Sequence, residues 1–162
     1  NFAEGKLLFA TLGCVQCHKL NKDDKAGGVS IGGLNQSVGP NVDDSTKKLK
    51  HDAKSLLQEI LEPSRNIEDK YRQAILELED GRSLVGLVAT ETPTSLTILS
   101  GTPAKAHEIP KKNIDARRTS PLSIMPNGLL NTLDKEQILD LLAYLLAGGN
   151  AEDAAFKHKH QH

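Results

Sequence analysis

Residues Cys14-Val15-Gln16-Cys17-His18 constrain this chain more than any other feature. They read Cys-x-x-Cys-His, the attachment pattern of c-type haem. The spacing lets the two thiols form thioether links to two vinyl groups, while His18 can donate its imidazole to the iron. The same residues have three other readings: a redox disulfide, half of a zinc site, or coincidence. A redox Cys-x-x-Cys requires a βαβ setting, and a four-ligand zinc site requires a second Cys or His pair close by. The chain holds only two cysteines, and the next histidine is His51. Haem attachment is therefore the favoured reading, and the fold must then be built around a large, flat, apolar body.

Composition agrees with a cofactor-centred core. Of the 162 residues, 38% are hydrophobic but only 3% are aromatic, and Trp is absent. That length suits one domain with an elaboration. The net charge of −1 gives no sign of nucleic acid as a partner. No segment approaches the ~20 apolar residues of a transmembrane helix. Haem is attached outside the cytoplasm in bacteria. The expectation is thus a periplasmic or otherwise exported chain whose export signal has been removed, or a domain cut from a longer exported protein.

Along the chain, Phe2, Gly5, Phe9 and Leu12 recur at helical spacing and predict a short helix ending at the motif. Residues 19–44 are rich in Gly, Asn, Asp and Ser and read as loop, with Gly39-Pro40-Asn41-Val42 as a rigid turn. Ala53, Leu56, Leu57, Ile60 and Leu61 predict a second helix over 52–61, stopped by Pro63. The period then changes. Residues 71–79 partly alternate, Asp80-Gly81 signals a hairpin, and 83–90 form a second strand. After Thr92-Pro93, residues 95–99, 105–109 and 113–116 read as further strands. This β-meander has too little core to stand alone comfortably, so it is expected to pack on the helical part. Asp134 is placed to cap a last helix, with Gln137 completing a capping box and Leu133 and Ile138 a hydrophobic staple. Ile138, Leu141, Leu142 and Leu145 make its buried stripe, and Gly148-Gly149 ends it. The predicted layout is a single haem domain over 1–149, containing a β-rich insert at 71–116, followed by a disordered polar tail over 150–162.

A haem iron held by His18 has a second axial position. The chain has one methionine, Met125, in the turn-rich stretch Ser123-Ile124-Met125-Pro126-Asn127-Gly128. A thioether suits haem iron and raises its potential. The competing reading of Met125 is a gap-filling core residue. His51 and His107 are the rival ligands, and surface or capping roles suit both better. The histidines of the tail could take up stray metal, but a solvated tail or an added remnant is the better reading of them.

These residues resemble the class I cytochrome c family. The matching pieces are Gly5 and Phe9, the Cys14–His18 motif, Gly39-Pro40, Met125-Pro126, and Leu141 with Tyr144. The resemblance implies a mainly α cytochrome c fold, with helices packed around one covalent haem and a small antiparallel β-meander inserted between motif and methionine. It implies that the first and last helices cross beside the haem, with Gly5 and Phe9 against Leu141 and Tyr144. It also implies that the Pro40 carbonyl accepts a hydrogen bond from Nδ1–H of His18, fixing the ring. Packing or supporting roles follow for Phe9, Pro40, Leu129 and Tyr144. More narrowly, the chain is similar to a haem-binding domain of exported planctomycete and verrucomicrobial proteins. Leu61-Glu-Pro-Ser-Arg-Asn-Ile67, Asp80-Gly81-Arg-Ser-Leu-Val-Gly86 and Ser123–Leu129 carry that likeness.

The functional expectation is a monohaem single-electron carrier rather than an enzyme. Cys14 and Cys17 tether one haem c, and His18 and Met125 are its axial ligands. Its partners would be a donor dehydrogenase and an acceptor oxidase or reductase. The alternatives are a gas-binding or peroxidase-type haem protein with a displaceable distal ligand, and the electron-accepting domain of a larger dehydrogenase. The β insert could serve to dock a partner, although covering one haem edge is the simpler role for it.

Overall fold

A computed structural model of the protein describes residues 1–20, 52–101 and 105–157. These form two compact units: residues 1–20, 52–62 and 127–157 in one, and 63–101 with 105–126 in the other.

The first unit is helical. Helix α1 (Phe2–Thr11) starts where the Asn1 side chain accepts a hydrogen bond from the Ala3 amide. Helix α2 (Ala53–Leu61) is capped by Asp52, whose carboxylate accepts from the Ser55 amide at 2.8 Å. Helix α3 (Lys135–Leu146) carries the expected capping box. The Gln137 amide donates to Asp134, and the Asp134 amide donates to the Gln137 side chain. Leu133 and Ile138 both pack on the core, as a staple requires. That core joins Leu8 and Phe9 of α1, Leu56 of α2, Leu141, Leu142, Tyr144 and Leu145 of α3, and the loop residues Leu20 and Leu130.

Helices α1 and α3 cross at Gly5. A Cβ at this position would lie 2.4 Å from the Asp140 carbonyl oxygen and 2.6 Å from Cβ of Tyr144. Only a residue without a side chain lets the two backbones come this close. Past α3 the chain continues through a turn into a single helical turn, Ala154–Lys157. There Phe156 sets its ring edge-on to Phe2 with 5.3 Å between centroids. Part of the segment expected as a disordered tail is therefore placed by an aromatic contact.

The second unit is a five-stranded antiparallel sheet: β1 (Gln73–Leu78), β2 (Ser83–Glu91), β3 (Ser95–Ser100), β4 (Lys105–Pro110) and β5 (Ile114–Thr119), in the order β4-β3-β2-β1-β5. Alternation in β1 turns Ala74, Leu76 and Leu78 inward. They meet Leu96 and Ile98 of β3 and Ile109 of β4 in a core where Leu76 and Ile98 are fully buried. The sheet is strongly curled. Its two edge strands, β4 and β5, are joined by the three-residue 3₁₀ turn Lys111–Asn113. In a flat sheet at ~4.8 Å per strand these edges would stand about 19 Å apart. A 3₁₀ turn rises only ~2 Å per residue, so the sheet must bend to bring its edges together. Register shifts at Val88/Thr90 and at Glu77/Leu78 supply local bends. Gly86 supplies room, since a Cβ there would fall 2.0 Å from the Leu99 carbonyl oxygen.

The expectation of a mainly α fold with a small β-meander is overturned. Among the described residues helix takes 36% and strand 27%, so the chain is mixed. The sequence reading missed what β5 does. Instead of trailing the meander as a loose last strand, it returns to pair with β1, from Ala74↔Thr119 to Leu78↔Ile114. That pairing converts a meander into a curled sheet with its own buried face. The helix-forming part at residues 2–20 still follows the expected cytochrome-like pattern.

Candidate functional site

Helix α1 ends at Thr11, and Gly13, with φ of 81°, turns the chain into a one-turn 3₁₀ helix, Cys14–Gln16. That left-handed conformation disfavours any residue with a Cβ. The turn folds the motif onto itself. The Cys14 carbonyl accepts the amides of both Cys17, at 3.2 Å, and His18, at 2.8 Å. The two thiols and the imidazole thus spring from one tight backbone loop. All three residues are half-buried, and Cys14 and Val15 pack on the core that holds Phe9 and Leu141.

Burial sets the protonation of the sulfurs. Desolvation pushes the Cys14 thiol up to about 11, assisted by the neighbouring Cys17 and opposed by a backbone hydrogen bond. Desolvation also pushes the Cys17 thiol up. Both therefore carry their protons at neutral pH, and the two are not bridged to one another. Two neutral thiols and an imidazole on one turn, with Cys14 against a core of leucine and aromatic side chains, are a donor set that fits haem c. Among the described residues no cluster of His, Cys, Asp or Glu has the makings of a metal-ion site. Among those residues the zinc reading gains no second ligand pair.

Around this turn the structure brings several of the expected residues together. Phe9 and Tyr144 are buried at 4% and 6% exposure, with ring centroids 5.9 Å apart. Tyr144 also meets Phe2 edge-on at 5.3 Å. Leu141 is 2% exposed in the same cluster. Leu129 is half-buried, and its neighbour Leu130 enters the core instead. Pro40 and the rival ligand His51 lie outside the described residues. His107 is exposed on β4, as a surface role requires.

Met125 belongs to the second unit, where it is half-buried. Its amide donates to the Ser123 hydroxyl at 3.1 Å. The Ser123 amide donates to the Ser64 hydroxyl at 3.0 Å, across 59 positions of sequence. Sequence reasoning singled out both serine-bearing stretches but assigned neither serine a role. Nothing local marks two such distant hydroxyls as parts of one chain of hydrogen bonds.

The geometry places two cysteines and a histidine on one short backbone turn at the end of α1. The family model for Cytochrome c matches residues 2–78. By that match, the part of the chain that carries Cys14, Cys17 and His18 is a c-type cytochrome segment, which supports a haem-containing, electron-transferring protein. The match stops at the end of β1, so Met125, Leu129 and Tyr144 lie beyond it. A search of curated proteins returns no match for this sequence. No helix among the described residues is long and apolar enough to cross a membrane.

Proposed function

We propose that this protein is a monohaem c-type cytochrome that carries single electrons outside the cytoplasm and is not an enzyme. The observation that carries the reading is the Cys14–His18 turn, which sets two thiols and an imidazole on one tight backbone loop, with Cys14 packed on the apolar core. Bound there, the haem supplies an iron centre that changes oxidation state by one electron. Cys14 and Cys17 hold the group covalently, so it is not lost on dilution. His18 would hold the iron through its imidazole. Met125 donates the other ligand as a soft thioether, which favours the reduced state. Were both ligands kept in both oxidation states, little rearrangement would accompany electron transfer. Phe9, Leu129 and Tyr144 keep water from the haem faces, and burial raises the potential further.

Export follows from the attachment chemistry, which operates outside the bacterial cytoplasm. The partners are a donor dehydrogenase and an acceptor oxidase or reductase. The nearly neutral charge of the chain fits docking through shape and apolar contact more than through long-range steering.

A pyridine haemochrome spectrum and haem-to-protein ratio test the covalent, single-haem state. A near-infrared Met–Fe(III) band in the oxidised protein tests the axial pair. Met125→Ala should abolish that band and lower the potential. High-spin ferric haem in the unaltered protein, with ready CO binding on reduction, would refute the carrier reading.

A further inference from the structure

We propose that Ser64 and Ser123 are positioning residues that hold the Met125 loop ready for its thioether to ligate iron; this rests on the axial role given to Met125 above. The loop after β5 is tied to Gln73 of β1 at two residues, Ser120 and Leu122. The Ser120 amide donates to the Gln73 carbonyl at 2.8 Å and so prolongs the β1–β5 ladder. The Leu122 carbonyl accepts from the Gln73 side chain at 3.2 Å and from the buried Ser120 hydroxyl at 3.3 Å. The Ser120 hydroxyl also accepts the Leu122 amide at 3.1 Å. The Ser123 amide then reaches the Ser64 hydroxyl, and the Met125 amide reaches the Ser123 hydroxyl.

Met125 is therefore held on both sides. Its own N–H is bound, and Pro126 restricts it to extended backbone conformations. The thioether belongs to a half-buried side chain. Pinning the backbone removes most of the ordering that ligation would otherwise have to bring about. Ser64 contributes from beyond β1, so it couples the loop to the segment that precedes the sheet. The two hydroxyls are polar groups whose hydrogen bonds serve the one loop that holds the sole methionine.

The test is imidazole titration of the oxidised holoprotein, following loss of the Met–Fe(III) band. Imidazole competes with Met125, so its apparent affinity reports how firmly the thioether is held. Ser64→Ala and Ser123→Ala should each raise that affinity about fivefold, the population change of one ordinary hydrogen bond. Ser64→Thr and Ser123→Thr keep a hydroxyl and should stay near the unaltered value. Thr92→Ala breaks a comparable hydroxyl cap at the β2–β3 turn, where Thr92 accepts the Ser95 amide at 2.9 Å. It should leave the affinity unchanged, which separates positioning from general loss of sheet stability. Independently of any variant, the Ser123 and Met125 amides of the holoprotein should exchange hydrogen slowly. A band present in the unaltered protein and an affinity unmoved by both alanine variants would overturn the positioning role alone. Fast exchange at both amides would also overturn it. Absence of the band from the unaltered protein would overturn the axial role of Met125 and the positioning role with it.

Discussion

Gly5 of α1 lies against Tyr144 of α3 so closely that a methyl group on Gly5 would sit 2.6 Å from the tyrosine Cβ. The contact joins the helix that leads into the haem motif to the last long helix. Gly5→Ala forces the helices apart, because the Asp140 carbonyl on the other side is backbone and cannot swing away. The expected cost is about 1–3 kcal/mol. Urea unfolding of the holoprotein measures it, and an unchanged midpoint would contradict the crossing.

In the proposed attachment each cysteine of the motif would contribute its own covalent link. Cys14→Ala and Cys17→Ala should each retain coloured protein on a denaturing gel through the remaining thioether. Only the double variant should release all its haem to acidified acetone. Release from either single variant would mean that just one link forms.

Gly86 answers in the sheet to Gly5 in the helices. A Cβ there would fall 2.0 Å from the Leu99 carbonyl oxygen, within the β2–β3 pair. Gly86→Ala should therefore cost about 3 kcal/mol or more, since a strand backbone has nowhere to move. Hydrogen exchange at Leu76 and Ile98 gives the readout. Protection equal to the unaltered protein would show that β2 and β3 can separate at no cost.

Glu91 ties the end of β2 to Lys111 at 2.7 Å and to Arg117 of β5 at 3.0 Å. Lys111 first, and then Arg117, hold its carboxyl below the ordinary carboxylate value. A carboxyl depressed by folding adds stability above its unfolded pKa of ~4.3, and that stability is lost as pH falls through the folded value. Glu91→Gln should thus lower the thermal midpoint slightly at pH 6, with the difference closing below about pH 4. High salt should shrink it too, because all three groups are partly exposed. A difference that persists at pH 3 would point to packing instead.

Local chemistry was legible in the sequence, and closure was not. Asp134 and Gln137 announced their capping box because both partners lie within one helical turn. Asp80-Gly81 and Thr92-Pro93 marked their turns for the same reason. The return of β5 to β1 had no such mark, since Ala74 and Thr119 pair directly although the whole meander lies between them in sequence. Residues 113–116 therefore read as one more short strand, and the fold as mainly α. The site divides along the same line. Cys14, Cys17 and His18 lie within five residues and could be named at once. Ser64 could not, because its hydroxyl acquires meaning only when Ser123 arrives 59 positions later.

The crossing of α1 and α3 also has a meaning in time. Glu4 and Gln137 touch at 3.4 Å, yet 133 positions separate them. At the ~5–20 residues per second of protein synthesis, the first helix waits on the order of ten seconds for its partner. Closing so long a loop adds a further entropic barrier. Throughout that interval Phe9 has no Tyr144 to pack on, and the thiols stand beside an unfinished core. Of these two helices the one made earlier is completed only when the later one arrives, which leaves Cys14 and Cys17 open to modification while they are still easy to reach.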